Sequence, residues 1–287
     1  DAPLSFSAAQ TGSQLWEPKN FDGKFEGPMR MRTALVKSKN LVSIRILQAI
    51  GIQYAQDYIT RFGFDSSRHP PYLPMALGSG SVTPMQMAVG YSVFANGGYR
   101  IAPYFIKRIE DEKGNIIEQF QPITPLNGAK RVIDPRNAFI MTHMMQDVVN
   151  YGTAAKAKQL GRTDLAGKTG TTSNFVDAWF CGFQKDLVTV AWTGYDEPKS
   201  LGNNETGGRI ALPIWMDYMG PVLKGVPMAE YKPPNGILAT KINSATGFRE
   251  SAGDINEYFF SEQLPPVSDT VVDHTPKVTK DLKDQLF

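Results

Sequence analysis

The sequence predicts an α+β fold, in which an antiparallel central sheet is covered by helices on both faces. Two apolar, aromatic-rich runs, Phe175 to Phe183 and Leu187 to Gly194, are separated only by Gln184-Lys185-Asp186, which is the pattern of a β-hairpin. Runs with helical spacing lie on either side of this hairpin, as is typical of α+β proteins. The chain has 287 residues, of which 41% are apolar and 20% charged, so it can bury a substantial core.

Three helices are predicted in the first part of the chain, after a loop-like stretch over residues 1–28. They cover Met29 to Val36, a segment that follows Ser38-Lys39-Asn40 and stops at Gly51, and Gln53 to Phe62. Ser38 and Asn40 are therefore expected at a break between helices. Helical spacing in the second segment places four apolar side chains toward a core: Leu41, Ile44, Leu47 and Ile50.

A long connection over residues 65–82 leads to a helix whose start carries several local signals. Thr83 can cap this helix, Pro84 suits its first position, and Gln86 completes a capping box. Asn96-Gly97-Gly98 ends it. Its apolar stripe, which we interpret as part of the core, contains Met87, Ala88, Tyr91, Phe94 and Ala95.

Two or three short strands are predicted between Tyr99 and Arg131, with a hairpin turn at Glu112-Lys113-Gly114-Asn115. Asp134-Pro135 then opens a helix that runs to about Asn150, and Thr153 is predicted to cap a shorter helix that ends at Leu160. The longer helix has one apolar face, formed by Ala138, Met141, Met145 and Val148.

One more amphipathic helix is predicted after the hairpin, from Pro213 to Leu223, and Pro221 is expected to kink or end it. A strand pair is expected around Ile237 to Phe248. We assign residues 1–265 to a single domain. Residues 266–287 are polar and poor in aromatic side chains, so a weakly ordered tail is expected there.

Composition disfavours several classes of function. The net charge is only +2 and no basic run is present, which gives no electrostatic basis for binding nucleic acid or a general membrane surface. No apolar run approaches the roughly 20 residues of a membrane span. The single cysteine, Cys181, lies in an apolar run and is expected to be a buried thiol. We expect no metal or other cofactor, because the three histidines lack a second ligand at metal spacing: His69, His143 and His274.

The strongest candidate for a functional site is the stretch Ala166-Gly167-Lys168-Thr169-Gly170-Thr171-Thr172. It leads into the predicted hairpin and is itself expected to be a strand. Glycines near Lys168 remove side chains that would shield main-chain N–H donors. A cation, several hydroxyls and accessible N–H groups together predict an anion-binding strand edge, suited to a carboxylate.

Two other interpretations of this stretch remain open. Gly167-Lys168-Thr169 resembles the end of a phosphate loop, although Gly161 lies one residue too far upstream and Thr172-Ser173-Asn174 leads toward a strand instead of a helix. Lys168 could also be a solvated side chain between two turn glycines. From this stretch alone, a solvated lysine is as well supported as a functional site.

Ser38-Lys39-Asn40 and Lys168-Thr169-Gly170, in that order, resemble two motifs of the penicillin-recognising acyltransferases. Further segments make the chain similar to class A penicillin-binding proteins, the bifunctional peptidoglycan synthases. These segments follow one another over roughly residues 1–200: Trp16-x-Pro18-x-Asn20, Arg32-Thr33-Ala34-Leu35, Ala76-Leu77-Gly78-Ser79-Gly80, Val82 to Ala88, Phe94-Ala95-Asn96-Gly97-Gly98, and Asp177-Ala178-Trp179-Phe180.

The resemblance implies a penicillin-binding transpeptidase fold, similar to that of serine β-lactamases and truncated at its N-terminus. The family's nucleophile lies in a Ser-x-x-Lys motif, whereas none of the serines of this chain is followed by lysine three residues later. We therefore expect the nucleophile in an upstream part of the same protein, together with a membrane helix and a glycosyltransferase domain.

The implied function is that of a peptidoglycan DD-transpeptidase or carboxypeptidase, which acts on D-Ala-D-Ala stem peptides through a serine ester. The resemblance assigns catalytic roles to three residues: Ser38 would relay a proton, Asn40 would hold the substrate amide or the upstream lysine, and Lys168 would supply a fixed positive charge. Thr169 and Thr171 would bind the substrate carboxylate, and Gly170 would leave clearance for it. The N–H of Thr171 would also serve as an oxyanion donor.

The ligands implied by the resemblance are peptidoglycan stem peptides, their lipid-linked precursor and β-lactam antibiotics. It also places the protein at the periplasmic face of the bacterial inner membrane, with membrane contact only through the upstream segment. Three other classes stay open: a serine β-lactamase, a non-catalytic β-lactam sensor domain and a nucleotide-binding protein.

Overall fold

A computed structural model of the chain describes residues 1–11 and 14–268. The helices are α1 (Ala8–Thr11), α2 (Met31–Lys37), α3 (Asn40–Ile50), α4 (Ile52–Ile59), α5 (Pro84–Ala95), α6 (Pro135–Tyr151) and α7 (Leu212–Val222). The strands are β1 (Tyr99–Arg100), β2 (Arg108–Glu110), β3 (Ile116–Gln119), β4 (Lys130–Arg131), β5 (Ala166–Thr171), β6 (Ala178–Gln184), β7 (Leu187–Thr193), β8 (Ile237–Ile242) and β9 (Ile255–Phe260).

Single helical turns connect several of these elements. Five are 3₁₀ turns and one is a π turn: Thr60–Phe62, Ser66–Arg68, Leu73–Leu77, Ala155–Leu160, Ser173–Phe175 and Gly207–Ala211, in that order. Within the described ranges, no helix combines the length and the apolar character that crossing a membrane requires.

The central sheet is antiparallel and has the strand order β5-β6-β7. Phe180 and Phe183, both fully buried, are three residues apart on β6 and therefore point to opposite faces. Phe183 meets Tyr91 of α5 on one face, with ring centroids 6.4 Å apart. On the other face Phe180 lies edge-on to Trp215 of α7, at 4.9 Å. Helices thus cover both faces, and the predicted α+β architecture is confirmed.

The N-terminus of α5 follows its local sequence signals. The side chain of Thr83 accepts the N–H of Gln86, and the side chain of Gln86 accepts the N–H of Thr83, which is the predicted capping box. The burial of this helix extends beyond the predicted stripe, because Val93 is fully buried against Ile133 and Ala138. Helix α5 therefore packs on two sides.

Four local predictions are corrected by the structure. Ile50 is 49% exposed, because it ends α3 beyond the last turn that contacts the core. The connection over residues 65–82 contains two 3₁₀ turns. Thr153 caps no helix, and the turn after it begins at Ala155. Strand β8 pairs with β9, which lies further along the chain than the predicted partner around Phe248.

The predicted weakly ordered tail falls mostly on residues 269–287, which lie outside the described residues. At its start, the N–H of Arg249 donates to Pro266 and the N–H of Ser268 donates to Arg249. Residues 266–268 are therefore joined to the domain that we assigned to residues 1–265.

A buried ion network fixes the direction of α2. The guanidinium of Arg32 donates from Nε to Glu257 of β9 at 2.8 Å, and from a terminal nitrogen to Asp147 of α6, also at 2.8 Å. Arg30 adds a second arginine at Glu257, 2.9 Å away. Because these partners come from two other elements, the network holds the start of α2 against both α6 and β9.

We predict that Arg32→Met lowers the free energy of unfolding by about 3–5 kcal/mol, since Asp147 loses its ion pair with Arg32 and Glu257 keeps only the one with Arg30. Arg108→Met is the matched control, because Arg108 pairs with Glu110 on the surface and such pairs contribute at most about 1 kcal/mol. Urea unfolding of both variants measures the difference. Equal losses in the two variants would contradict a structural role for the network.

Candidate active site

The site begins at the C-terminus of α2, where Ser38 adopts a left-handed backbone conformation with φ 55° and ψ 49°. Its N–H donates to Leu35 and that of Lys39 donates to Ala34, which closes the helix. Left-handed residues other than glycine are uncommon and cost of the order of 1–3 kcal/mol. The chain enters α3 two residues later, so the predicted break between helices is confirmed.

The middle residue of Ser38-Lys39-Asn40 anchors the loop over residues 1–28. Lys39 is only 2% exposed, and its Nζ lies 2.9 Å from both Asp22 and Glu26 and 3.5 Å from Asp1. Sequence reasoning assigned no role to this side chain, because its three partners belong to a stretch without regular structure. Lys39 thus ties the irregular N-terminal segment to the break that presents Ser38.

Ser38 and Lys168, 130 residues apart in the chain, meet in the structure. The amine of Lys168 donates to Ser38 Oγ at 2.7 Å and to the carbonyl of Thr169 at 3.1 Å. Asn40 faces elsewhere, because its side-chain amide donates to the carbonyl of Lys19 at 2.9 Å. The structure therefore brings two of the three predicted catalytic residues into contact and holds the third against the N-terminal loop.

Lys168 is half-buried, and burial lowers the pKa of its amine to about 8. Among the described residues, no carboxylate forms an ion pair with it. Its cross-strand neighbour Cys181 is buried as predicted, and burial raises the pKa of that thiol to about 12, which keeps it neutral. A positive charge without a countercharge in such a site attracts an incoming anion.

Strand β5 is an outer strand of the central sheet. Within the described residues, one of its edges pairs with no other strand and is called the free edge below. The N–H of Thr172 donates to the carbonyl of Asp177, the residue before β6, at 3.0 Å, so Thr172 faces β6 and Thr169, an odd number of positions away, faces the free edge. In an antiparallel strand the N–H and C=O of one residue point the same way, and this direction repeats every two residues. The N–H of Thr171 consequently faces the free edge as well.

Thr169 and Thr171 share one face of β5, and each hydroxyl has a partner. Thr169 Oγ1 lies 2.7 Å from Thr153 Oγ1, and Thr171 Oγ1 accepts the N–H of Gly207 at 3.0 Å. Neither Thr153 nor Gly207 was predicted to belong to the site. Gly207-Gly208, which starts the π turn, is the kind of pair that allows another main chain to approach closely. The neighbouring sequence does not indicate which strand approaches it.

The two glycines of β5 have different roles. At Gly167, a Cβ would lie 2.7 Å from both the ring of Phe180 and the carbonyl of Cys181, so packing inside the sheet requires this glycine. Our interpretation that it opens the main chain to a ligand is therefore wrong. At Gly170 a Cβ would lie 3.2 Å from Trp179 Cβ, which is a tight contact. The atoms nearest to this Cβ all belong to Trp179, and Gly170 itself lines the cleft.

A cleft of about 770 Å³ runs along this strand. Lys168, Thr169, Gly170 and Thr171 line one wall, and residues 75–78 and 80–84 form part of the other. Gly167-Lys168-Thr169 lies inside strand β5 and not ahead of a helix, so it does not have the geometry of a phosphate loop.

The chain is similar in sequence to known proteins. Residues 7–219 match the family model of the penicillin-binding protein transpeptidase domain. The chain is 52% identical to penicillin-binding protein 1A of Neisseria lactamica over 239 residues, which are 83% of this chain and 30% of the relative. It is 41% identical to the protein of the same name from Pseudomonas aeruginosa, over an alignment of 318 positions that covers 93% of this chain and 38% of the relative. The chain thus spans about a third of the length of these relatives.

Solved structures give the same result. Penicillin-binding protein 1A of Haemophilus influenzae superposes with a TM-score of 0.86 at 32% identity, over 93% of this chain and 44% of that one. PonA1 of Mycobacterium tuberculosis, in complex with penicillin V, gives a TM-score of 0.66 at 22% identity, over 81% of this chain and 65% of that one. The second likeness shows a common fold.

We predict that Gly207→Ala destabilises the protein by about 1–3 kcal/mol, because the added Cβ would lie 2.3 Å from the carbonyl oxygen of Trp179 and 2.4 Å from that of Gly170. Gly220→Ala in α7 is the control. Its Cβ meets only the end of the Leu160 side chain, at 3.2 Å, and alanine favours a helix interior by about 0.5–1 kcal/mol. If urea unfolding shows Gly207→Ala to be as stable as the parent, the π turn does not lie against β5.

Proposed function

We propose that this chain supplies one half of the site of a peptidoglycan DD-transpeptidase, because it belongs to the penicillin-binding protein transpeptidase domain family. The observation that carries this proposal is the contact of 2.7 Å between the amine of Lys168 and the hydroxyl of Ser38. It places a proton-carrying hydroxyl against a half-buried cation that lines the cleft. Acyl transfer requires both groups there.

The reaction has two halves. A serine oxygen from a Ser-x-x-Lys segment, which this chain lacks, attacks the carbonyl carbon of the penultimate D-alanine of a stem peptide. The C–N bond to the terminal D-alanine breaks, and its amine leaves with the proton taken from the serine. The amine of a second stem peptide then attacks the ester, forms the cross-link and returns a proton to the serine. A β-lactam undergoes the first half, and its ring nitrogen is the leaving group.

Ser38 carries the proton in this scheme. Its oxygen accepts from Lys168, so its own hydrogen can be donated to the departing amine while the oxygen receives the proton of the nucleophile. Lys168 acts through its charge: in a partly dry cleft, a fixed ammonium stabilises negative charge much more than it does in water. Although burial lowers the pKa of Lys168 to about 8, this value is still above neutral pH, so most of the amine stays charged.

The free edge of β5 binds the acyl part of the substrate. Negative charge develops on the carbonyl oxygen during attack, and the N–H of Thr171 is one donor for it. The hydroxyls of Thr169 and Thr171 receive the terminal carboxylate, and Gly170 leaves room for the peptide to approach. Asn40 holds the substrate amide or the lysine of the Ser-x-x-Lys segment after exchanging its contact with Lys19.

The substrates in this proposal are stem peptides and their lipid-linked precursor, and the inhibitors are β-lactams. The reaction takes place at the periplasmic face of the inner membrane, with the nucleophile supplied by an upstream part of the same protein. The structure of M. tuberculosis PonA1, which has a similar fold, is a complex with penicillin V, and this agrees with the proposed β-lactam binding.

We predict that Lys168→Ala, in a protein whose site is completed by the Ser-x-x-Lys segment, slows acylation by a fluorescent penicillin by roughly 10²–10³, because a fixed charge facing the reacting group is lost. Lys185→Ala, an exposed lysine in the β6-β7 turn, is the control and should acylate like the parent. Thermal unfolding should change little in either variant.

Equal acylation rates for Lys168→Ala and the parent would contradict the role of Lys168. Two further readouts separate the other enzyme and sensor classes. Sustained turnover of the penicillin would indicate a β-lactamase, and acylation without cross-linking of stem peptides would indicate a sensor domain.

We predict no acyl adduct when the chain of 287 residues is incubated alone with benzylpenicillin, because it holds no serine followed by lysine three residues later. Intact-mass spectrometry detects the gain of one penicillin per chain. An adduct on a serine of this chain would show that the nucleophile lies within it and not upstream.

A further inference from the structure

We infer that Thr153 is a positioning residue, which together with the main chain of Gly207 directs the hydroxyl hydrogens of β5 toward a ligand carboxylate. This inference rests on the proposed function, since it specifies how the carboxylate of the same site is recognised. It assigns a role to a residue that the sequence motifs leave out.

The hydrogen-bond partners determine which hydroxyl hydrogens are used. A backbone N–H can only donate, so Thr171 Oγ1 is the acceptor in its contact with Gly207 and keeps its own hydrogen for another partner. Between Thr153 and Thr169, one hydroxyl donates to the other and the accepting hydroxyl keeps its hydrogen. Among the described residues, no further acceptor is bonded to either hydrogen.

Two hydroxyl hydrogens are therefore unused along one face of the strand. An ionised carboxylate has two oxygens and only accepts hydrogen bonds, so it can receive both hydrogens at once. A ligand carboxylate beside β5 favours the arrangement in which Thr153 donates to Thr169, because the hydrogen of Thr169 is then released toward the ligand. A neutral amide favours this arrangement less strongly than a carboxylate does, because its N–H₂ group donates hydrogen bonds and only its carbonyl oxygen accepts them.

The backbone around Thr153 is held in place from two sides. A Cβ at Gly152 would lie 2.5 Å from the carbonyl of Val36 in α2, so the chain passes directly beneath that helix. A Cβ at Gly208 would lie 2.7 Å from the carbonyl of Thr153, so the π turn presses on the other side. The side chain of Thr153 is exposed, whereas the main chain of residues 152–153 packs against both α2 and the π turn.

This packing connects the part of the site that holds Ser38 with the part that holds the hydroxyls of β5. Helix α2 ends at Ser38, and the π turn supplies the N–H that bonds Thr171. Thr153 lies between them and contacts Thr169. The same packing that presents the proton-carrying hydroxyl therefore also orients the hydroxyls that recognise the anion.

The experiment titrates a protein whose site is completed by the Ser-x-x-Lys segment with N-acetyl-D-alanyl-D-alanine and, separately, with its C-terminal amide. Binding is followed through the backbone NMR signals of Thr169, Thr171 and Gly207. In the parent, the acid should bind more tightly than the amide. Thr153→Val should reduce this preference about three- to tenfold, as expected for the loss of one orienting hydrogen bond. Thr153→Ser, which keeps the hydroxyl, should restore it.

The control is Thr163→Val, because Thr163 is also exposed and, within the described residues, its hydroxyl is bonded only to the sulfur of Met228, at 3.6 Å. It should keep the preference of the parent. If Thr153→Val also keeps that preference, while melting temperatures match, the positioning role is wrong and the proposed function stands. If the parent binds acid and amide equally, carboxylate recognition by β5 fails, and the proposed function fails with it.

Discussion

The contact between Lys168 and Ser38 depends on two independent parts of the fold being placed correctly. Ser38 is in position because α2 is held by Arg32 against Glu257 and because the chain turns into a left-handed conformation at the end of that helix. Lys168 is in position because β5 pairs with β6 through its whole length. A shift of either element by about 1 Å would separate two groups that are now 2.7 Å apart.

The electrostatic setting of this contact explains why a lysine is placed there. Burial makes the charged form of Lys168 less favourable, and in the described part of the chain no carboxylate compensates it. The neighbouring Lys39 shows the contrast, since it is more deeply buried and is surrounded by Asp1, Asp22 and Glu26. Lys39 has its countercharges within the protein and stabilises the fold. Lys168 keeps its attraction for a ligand, in agreement with anion binding in the proposed function.

Much of the fold could be predicted from the sequence, because the signals involved are local. The capping box of α5, the hairpin turn between β6 and β7, and the break at Ser38 each depend on residues within a few positions of one another. Features that depend on distant partners could not be predicted in this way. The pairing of β8 with β9, the packing role of Gly167 and the contact of Thr153 with Thr169 are all of this kind. Ser38 and Lys168 were placed in one site only through the family resemblance, and no spacing rule joins residues 130 positions apart.

The most direct test of the site is the pKa of Lys168, measured on this chain by NMR through the ¹³C and ¹H signals of its ε-methylene group. If the amine lies half-buried against Ser38 without a countercharge, it should titrate with a midpoint near pH 8, while exposed lysines titrate near the ordinary value of about 10.4. A midpoint near the ordinary value would contradict the burial of this amine without a countercharge, and with it the assignment of Lys168 to the site.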